Sequence, residues 1–281
     1  MKMATDFKQL AELHYSLYIY DDVKGDGYDW WSGETIPSET SANYFRDQLA
    51  AIPHNAKIDV YINSLGGSVL EGLSIRNQLY RHPADTTAYI DGFACSIASV
   101  IPTGCKKVVM YRNTMQMMHH AWTWASGNAV QLHKAADDIA KIDQGVCQSY
   151  LEKAGGKLTA ETLQELLDRE SWLTAQECLD YGLCDEIVEK DADLSGAMAM
   201  LERTKAAAAA DARPAAAYTL RVAAQAMEKL SMQATPPAPI APPTPPPAKA
   251  ETSPPEPTPP ENPAIARWSK LLAALAAADD R

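Results

Sequence analysis

A serine, a pair of glycines and a histidine sit in three short segments of this 281-residue chain, and together they are the parts of an acyl-transfer centre. The serine is Ser96 in Gly92-Phe93-Ala94-Cys95-Ser96-Ile97-Ala98-Ser99, a run of small residues between a strand-like and a helix-like stretch. The glycines are Gly66 and Gly67 in Asn63-Ser64-Leu65-Gly66-Gly67-Ser68-Val69, whose backbone can take paths closed to other residues and present its amides. The histidine belongs to Met117-Met118-His119-His120, at the end of an apolar run. A hydroxyl nucleophile, an imidazole base and main-chain donors for an oxyanion are what hydrolysis of an acyl bond requires. Cys95 is a rival nucleophile. The small-x-small spacing favours Ser96 and leaves Cys95 to packing. The set points to a serine peptidase.

The elements that must hold these residues alternate between the two periodicities, which predicts an α/β domain with crossover units. Strands are predicted over 17–20, 58–63, 86–90, 107–111, 115–119 and 183–188, and helices over 39–52 and from Ser68 to the His82-Pro83 stop. A short helix follows Ser96 and ends at Pro102 and Gly104. A long one runs from about Ala129 to Ala154, stopped by Gly155-Gly156. Thr174-x-x-Glu177 is a capping box for a further short helix that stops at Gly182. Ser96 and Ser68 both fall at helix starts, where capping is the commonest task of a serine.

Proline divides the rest. Fourteen of the 19 prolines lie between Pro236 and Pro263, which predicts an extended polyproline-type linker over 235–263. Residues 193–234 are rich in Ala, Met and Leu and read as helix with weak tertiary specification. Residues 264–281 hold Trp268, Leu271, Leu272 and Leu275, the pattern of a short amphipathic helix suited to docking. The compact domain is therefore expected to span 1–192, with a disordered or helical tail behind it.

A net charge of −11 argues against a nucleic-acid surface. The longest uncharged runs are too short or too polar to span a bilayer, and the first residues lack the apolar stretch of a signal peptide. The five cysteines show no CxxC pairing, so neither a disulfide framework nor a metal site is signalled. No cofactor is expected, and the location expected is the cytoplasm. No Walker-type glycine loop is present, so ATP hydrolysis is not encoded in these residues.

With Ile62-Asn63-Ser64-Leu65-Gly66-Gly67-Ser68-Val69, the Ser96 segment, Met117-Met118-His119-His120 and Trp172-Leu173-Thr174-Ala175-Gln176-Glu177 in this order, followed by Tyr181-Gly182-Leu183-Cys184-Asp185, the chain resembles the proteolytic subunit of the Clp protease. The likeness covers roughly residues 13–190 and is nearest to the ClpP-like head-maturation proteases of tailed bacteriophages. It implies the ClpP/crotonase-type fold of repeated β-β-α units. It also implies a Ser-His-Asp triad and homo-oligomeric rings, alone or stacked. By this resemblance Ser96 is the nucleophile, His119 rather than His120 is the general base, and the Gly67 and Ile97 amides form the oxyanion hole. Gly66, Gly67 and Ser68 would hold the peptide.

The acid is open: counting back from Leu173 puts the family's aspartate on Glu170, while Asp168 has the family's usual chemistry. Leu65 stands where the family has proline, and Ala98 where it has glycine. The aromatic Tyr28-Asp29-Trp30-Trp31 segment and Trp122 with Trp124 would line a subunit interface or groove, or else pack in the core.

The reading that follows is a serine endopeptidase that processes capsid or scaffold proteins during phage head assembly, acting in the host cytoplasm or inside the procapsid. The long tail favours that over housekeeping degradation. Three alternatives stay open: a cleavage-inactive assembly protein, a general ClpP-type subunit working with a separate ATPase, and a crotonase-like acyl-CoA enzyme.

Overall fold

The computed structural model describes residues 8–11, 13–209 and 214–234. The strands are β1 (Lys8–Ala11), β2 (His14–Ile19), β3 (Gly27–Asp29), β4 (Glu34–Ile36), β5 (Lys57–Ser64), β6 (Asp85–Cys95), β7 (Lys107–Tyr111), β8 (Met115–Met118), β9 (Ser171–Thr174) and β10 (Glu186–Val188). The helices are α1 (Ala42–Ala51), α2 (Val69–Arg81), α3 (Ile97–Val100), α4 (Ala129–Ala154), α5 (Ala160–Asp168), α6 (Ala175–Asp180), α7 (Ser195–Ala209) and α8 (Pro214–Ala234). A 3-10 turn, Ile101–Gly104, continues α3.

The main sheet runs β1-β2-β5-β6-β7-β10, and from β2 onward its pairs along this path are parallel. The strands alternate, and one face is fully buried. Leu17, Ile19, Ile58, Val60, Ile62, Ala88, Ile90, Val108 and Met110 form that face and are buried with Phe45, Ile75, Leu79 and Tyr150 from the helices, while Tyr18, Tyr61 and Tyr89 stand half-buried on the other. Helix starts follow the capping chemistry: Ser41, Ser68, Asn128, Thr159 and Thr174 each accept an N3 amide through the side chain.

β6 is the strand that builds the site. Its first half pairs with β7, Thr87 to Ile90 against Lys107 to Met110. Its second half leaves β7 and pairs with β8 instead, Phe93 to Cys95 against Met115 to Met117. The Gly92–Cys95 stretch expected as part of a turn is thus strand. The ladder continues into β9, which runs antiparallel to β8. β9, β1 and the β3–β4 hairpin are too short to leave a period in the sequence, whereas α5, with its Thr159 cap and Leu163, Leu166 and Leu167 on one face, carries a clear one that the expected elements do not include.

The helices after residue 192 are the main departure from expectation. α7 and α8 pack together on a second apolar cluster, where Ala197, Met200, Leu201, Val222, Ala223, Ala226 and Leu230 meet Leu65, Phe93, Cys95, Met115 and Met117. Gly92 makes room for this: a Cβ there would lie 2.8 Å from the Cβ of Ala197. Burying Val222 and Leu230 contributes on the order of 1.5–3 kcal/mol each before ordering entropy is subtracted. The compact unit accordingly reaches Pro236 rather than ending near 192. The proline-rich linker and the terminal amphipathic helix lie outside the described residues.

Trp30 and Trp31 are 90% and 98% exposed, so the aromatic segment on the β3–β4 hairpin does not pack in the core. Trp124 is exposed too, and Trp122 lies tilted against Tyr218 with ring centroids 4.9 Å apart. Among the described residues no helix is long and apolar enough to cross a membrane.

Candidate active site

Strand register brings the site residues together. Cys95 is paired with Met117 across β6 and β8, and the Ser96 amide donates to the Met117 carbonyl at 2.7 Å. Ser96 therefore leaves its strand beside the residues that lead into His119. On the other side of β8, Met118 opposes Ser171 of β9. One further step along this antiparallel register sets His119 across from Glu170. On β5, Ser64 is paired with Ala94, which delivers Gly66 and Gly67 to the same end of β6.

Ser96 adopts φ 53° and ψ −131°, a conformation that L-residues rarely occupy. The turn lifts the side chain off the strand path and is held from below. Ser99 Oγ lies 2.6 Å from the Ser96 carbonyl oxygen, to which it donates, and 2.6 Å from the Tyr150 hydroxyl; both residues are buried. The helix that follows has four residues, so the dipole aid expected from a helix start is small and local amides matter more. Cys95, one residue earlier, is fully buried, and burial pushes its thiol far above the ordinary range. It is no competitor for nucleophile.

Gly66 and Gly67 occupy φ +107° and +141°. A Cβ on Gly66 would stand 2.7 Å from Ser96 Cβ, and one on Gly67 would stand 2.1 Å from the Val23 carbonyl oxygen. Neither position admits a side chain. The Val23 amide donates to the Gly66 carbonyl and the Ser68 amide donates to the Val23 carbonyl, each at 2.7 Å. In this parallel bridge the Gly67 N–H and C=O point to the opposite edge, the one not used by Val23. Ser68 caps α2, accepting from the Glu71 amide at 3.4 Å.

Ser96, His119, Gly66, Gly67 and Ser68 all line one cavity of about 400 Å³, together with Val23 and Trp122. His119 is 8% exposed, and its Nε2 is buried without a hydrogen-bond partner. Burial lowers its pKa from the ordinary 6.5, against an opposing pull from Glu170.

The two candidate acids separate cleanly. Asp168 Oδ1 lies 2.9 Å from His120 Nε2 and also accepts from Gln164, so its carboxylate serves the other histidine. His120 is bonded through Nδ1 to Asp143 as well. Burial opposes a charge on this imidazole, but the two carboxylates more than offset it and raise its pKa. Asp168, put first on sequence with Glu170 as its alternative, is thereby drawn toward His120. Glu170, at φ 49° where α5 turns into β9, lines a pocket with His119, His120 and Asp168, and its carboxylate bonds Arg221 rather than His120. Hydrogen bonds from Arg221 hold its carboxyl below the usual range.

Four residues of α8 on this site were not found from the sequence. Tyr218, Thr219 and Val222 of α8 line the Ser96 cavity, and Arg221 meets Glu170. Their amphipathic spacing was legible, but nothing in it names the surface it covers. Among the described residues no group of three or more His, Cys, Asp or Glu is placed to hold a metal.

Comparison with known proteins covers the same elements. The Clp protease family model matches residues 33–191. An ATP-dependent Clp protease proteolytic subunit from Ligilactobacillus salivarius is 34% identical over 190 residues, 66% of this chain and 94% of the relative. Proteolytic subunit 2 from Corynebacterium glutamicum is 32% identical over 142 residues, 50% of this chain and 70% of the relative. Proteolytic subunit 3 from Rhodococcus jostii is 31% identical over 150 residues, 52% and 73% of the respective chains. These matches agree with the mixed α/β fold and its mostly parallel sheet, and the chain belongs to the Clp protease family of serine-type peptidases.

Proposed function

We propose that this chain cuts peptide bonds with Ser96 as nucleophile, His119 as general base and Glu170 as the carboxylate that orients the imidazole. The observation that supports this is the β6–β8–β9 register, which lines up the ends of the three strands that lead into residues 96, 119 and 170. His119 takes the Ser96 proton as Oγ attacks the scissile carbonyl, and later returns it to the leaving amine. The Gly67 and Ile97 amides receive the oxyanion, and losing one such donor typically costs about 10²–10³ in rate. A peptide pairs with the free edge of Gly66–Ser68 as an added strand. The burial-lowered pKa of His119 keeps it neutral, and so competent as a base, somewhat below pH 6.5.

The same reading extends to assembly and substrate. The chain forms a homo-oligomeric ring; the exposed Val130, Leu132 and Ile142 on α4 and Trp124 beside it supply the apolar surface such contacts need. Its substrates are capsid or scaffold proteins of a tailed phage, and what supports that is the tail. Fourteen prolines in 236–263 and an amphipathic pattern in 264–281 suit a built-in scaffold arm rather than a free degradative subunit.

The test is co-expression with candidate capsid proteins, with products mapped by mass spectrometry. Discrete cleavages lost on Ser96→Ala support the reading. Cleavage of unfolded proteins only in the presence of a separate ATPase would favour the general degradative role instead.

A further inference from the structure

This inference rests on the roles proposed for Ser96, His119 and Glu170. Three contacts from α8, a helix beyond the family-matched residues, fall on that machinery. The Tyr218 ring lies against His119, with centroids 5.2 Å apart. Arg221 grips Glu170 through both terminal nitrogens, at 2.5 and 3.1 Å, while its guanidinium sits 4.9 Å from the Tyr218 ring centre. Val222, one turn on from Tyr218, enters the lining of the Ser96 cavity.

In this arrangement the base and the acid are both engaged by groups other than substrate. His119 Nε2 has neither solvent nor a hydrogen-bond partner. Glu170 is neutralised by a guanidinium, so it holds an imidazolium less strongly. Arg221 also opposes protonation of His119 directly. A peptide added along Gly67 cannot reach His119 while the Tyr218 ring covers it.

The closed contact also carries its own means of release. The Tyr218 hydroxyl, like His119 Nε2, is buried with no hydrogen-bond partner. Buried polar groups left unpaired are costly, and an incoming substrate that pairs with His119 removes part of that cost. The seat beneath is apolar: Val222, Ala223, Ala226 and Leu230 against Phe93, Met115 and Met117.

We propose that the mouth of the active site is a docking groove for an amphipathic helix, and that α8 of the same chain is its resident, inhibitory occupant. Substrate or an assembly partner gains access by displacing this helix.

The test compares the full chain with Arg221→Gln, Tyr218→Ala and Ala223→Asp, each with and without Ser96→Ala. The rate of fluorophosphonate labelling is measured beside hydrogen exchange over Pro214–Ala234, and far-UV circular dichroism reports folding. The two surface-side variants keep the test informative if Ala223→Asp does not fold. Release of α8 should speed Ser96-dependent labelling by about tenfold or more, in step with faster exchange of α8. Ser96-dependent labelling that stays at the wild-type rate in a variant with α8 released overturns inhibition and leaves the peptidase reading standing. No Ser96-dependent labelling in any folded variant overturns the peptidase reading, and this proposal with it.

Discussion

Asp168 and Glu170 are two residues apart, yet one carboxylate bonds His120 and the other bonds Arg221. Sequence could not separate them because the deciding fact is the register of β9 against β8, and β9 has only four residues. Glu170→Gln should therefore lower kcat by on the order of 10²–10⁴, as loss of an orienting carboxylate does in other triads. Asp168→Asn should leave kcat within about threefold, since the group acts through His120. Steady-state hydrolysis of a fluorogenic peptide reads both. The reverse ranking would return the acid role to Asp168.

His120 makes its own prediction at the same scale. Its folded pKa is raised above the unfolded value near 6.5 by Asp143 and Asp168, against burial. The stabilisation is fully present below pH 6.5 and is lost as pH rises through the folded pKa. Thermal midpoints should fall between pH 6 and pH 8 more steeply for the wild type than for His120→Asn. Equal slopes would show that the bridge from β8 to α4 and α5 contributes nothing measurable.

Among elements, the turns around the site are more tightly specified than the helices that cover it. Gly66-Gly67 was legible as a turn reserved for glycine because only glycine tolerates its backbone path. Gly67→Ala would press a methyl into the Val23 carbonyl, and at φ +141° the strain has no easy outlet. It should destabilise the domain by about 1–3 kcal/mol in denaturant titrations and reduce peptide hydrolysis more than stability alone explains. A fully active Gly67→Ala protein would remove this residue from the oxyanion site.

The long parallel strands and most helix boundaries were also readable, since apolar alternation and caps carry their own punctuation. β1 and the β3–β4 hairpin were not, because such short elements bury too little to leave a period; α5 does leave one, in Leu163, Leu166 and Leu167 behind the Thr159 cap. α7 and α8 showed helical composition but not destination. Alanine and methionine pack against almost any apolar surface, and the Leu65, Phe93, Met115 and Met117 surface that receives them is scattered over 53 positions of sequence.

At the scale of the molecule, the boundary between the compact unit and the tail moves from the expected 192 to Pro236. The family match ends at residue 191, so the sequence motifs mark the peptidase but not the whole packed body. A chain ending at Ala234 should keep the full-length thermal midpoint within about 2 °C, because every buried residue described is retained. One ending at residue 192 would uncover the apolar surface under α7 and α8 and should bind hydrophobic dyes and aggregate. Equal behaviour of the two truncations would mean that those helices add nothing to the fold.

Locating the covalent adduct left by a fluorophosphonate tests the chemistry most directly. The chain is incubated to completion, digested, and the modified peptide sequenced by mass spectrometry. A single adduct on Ser96, absent when His119 is replaced by alanine, is the outcome required. An adduct on another residue, or none on the folded full-length chain or on any folded variant with α8 released, would contradict the assignment of this site.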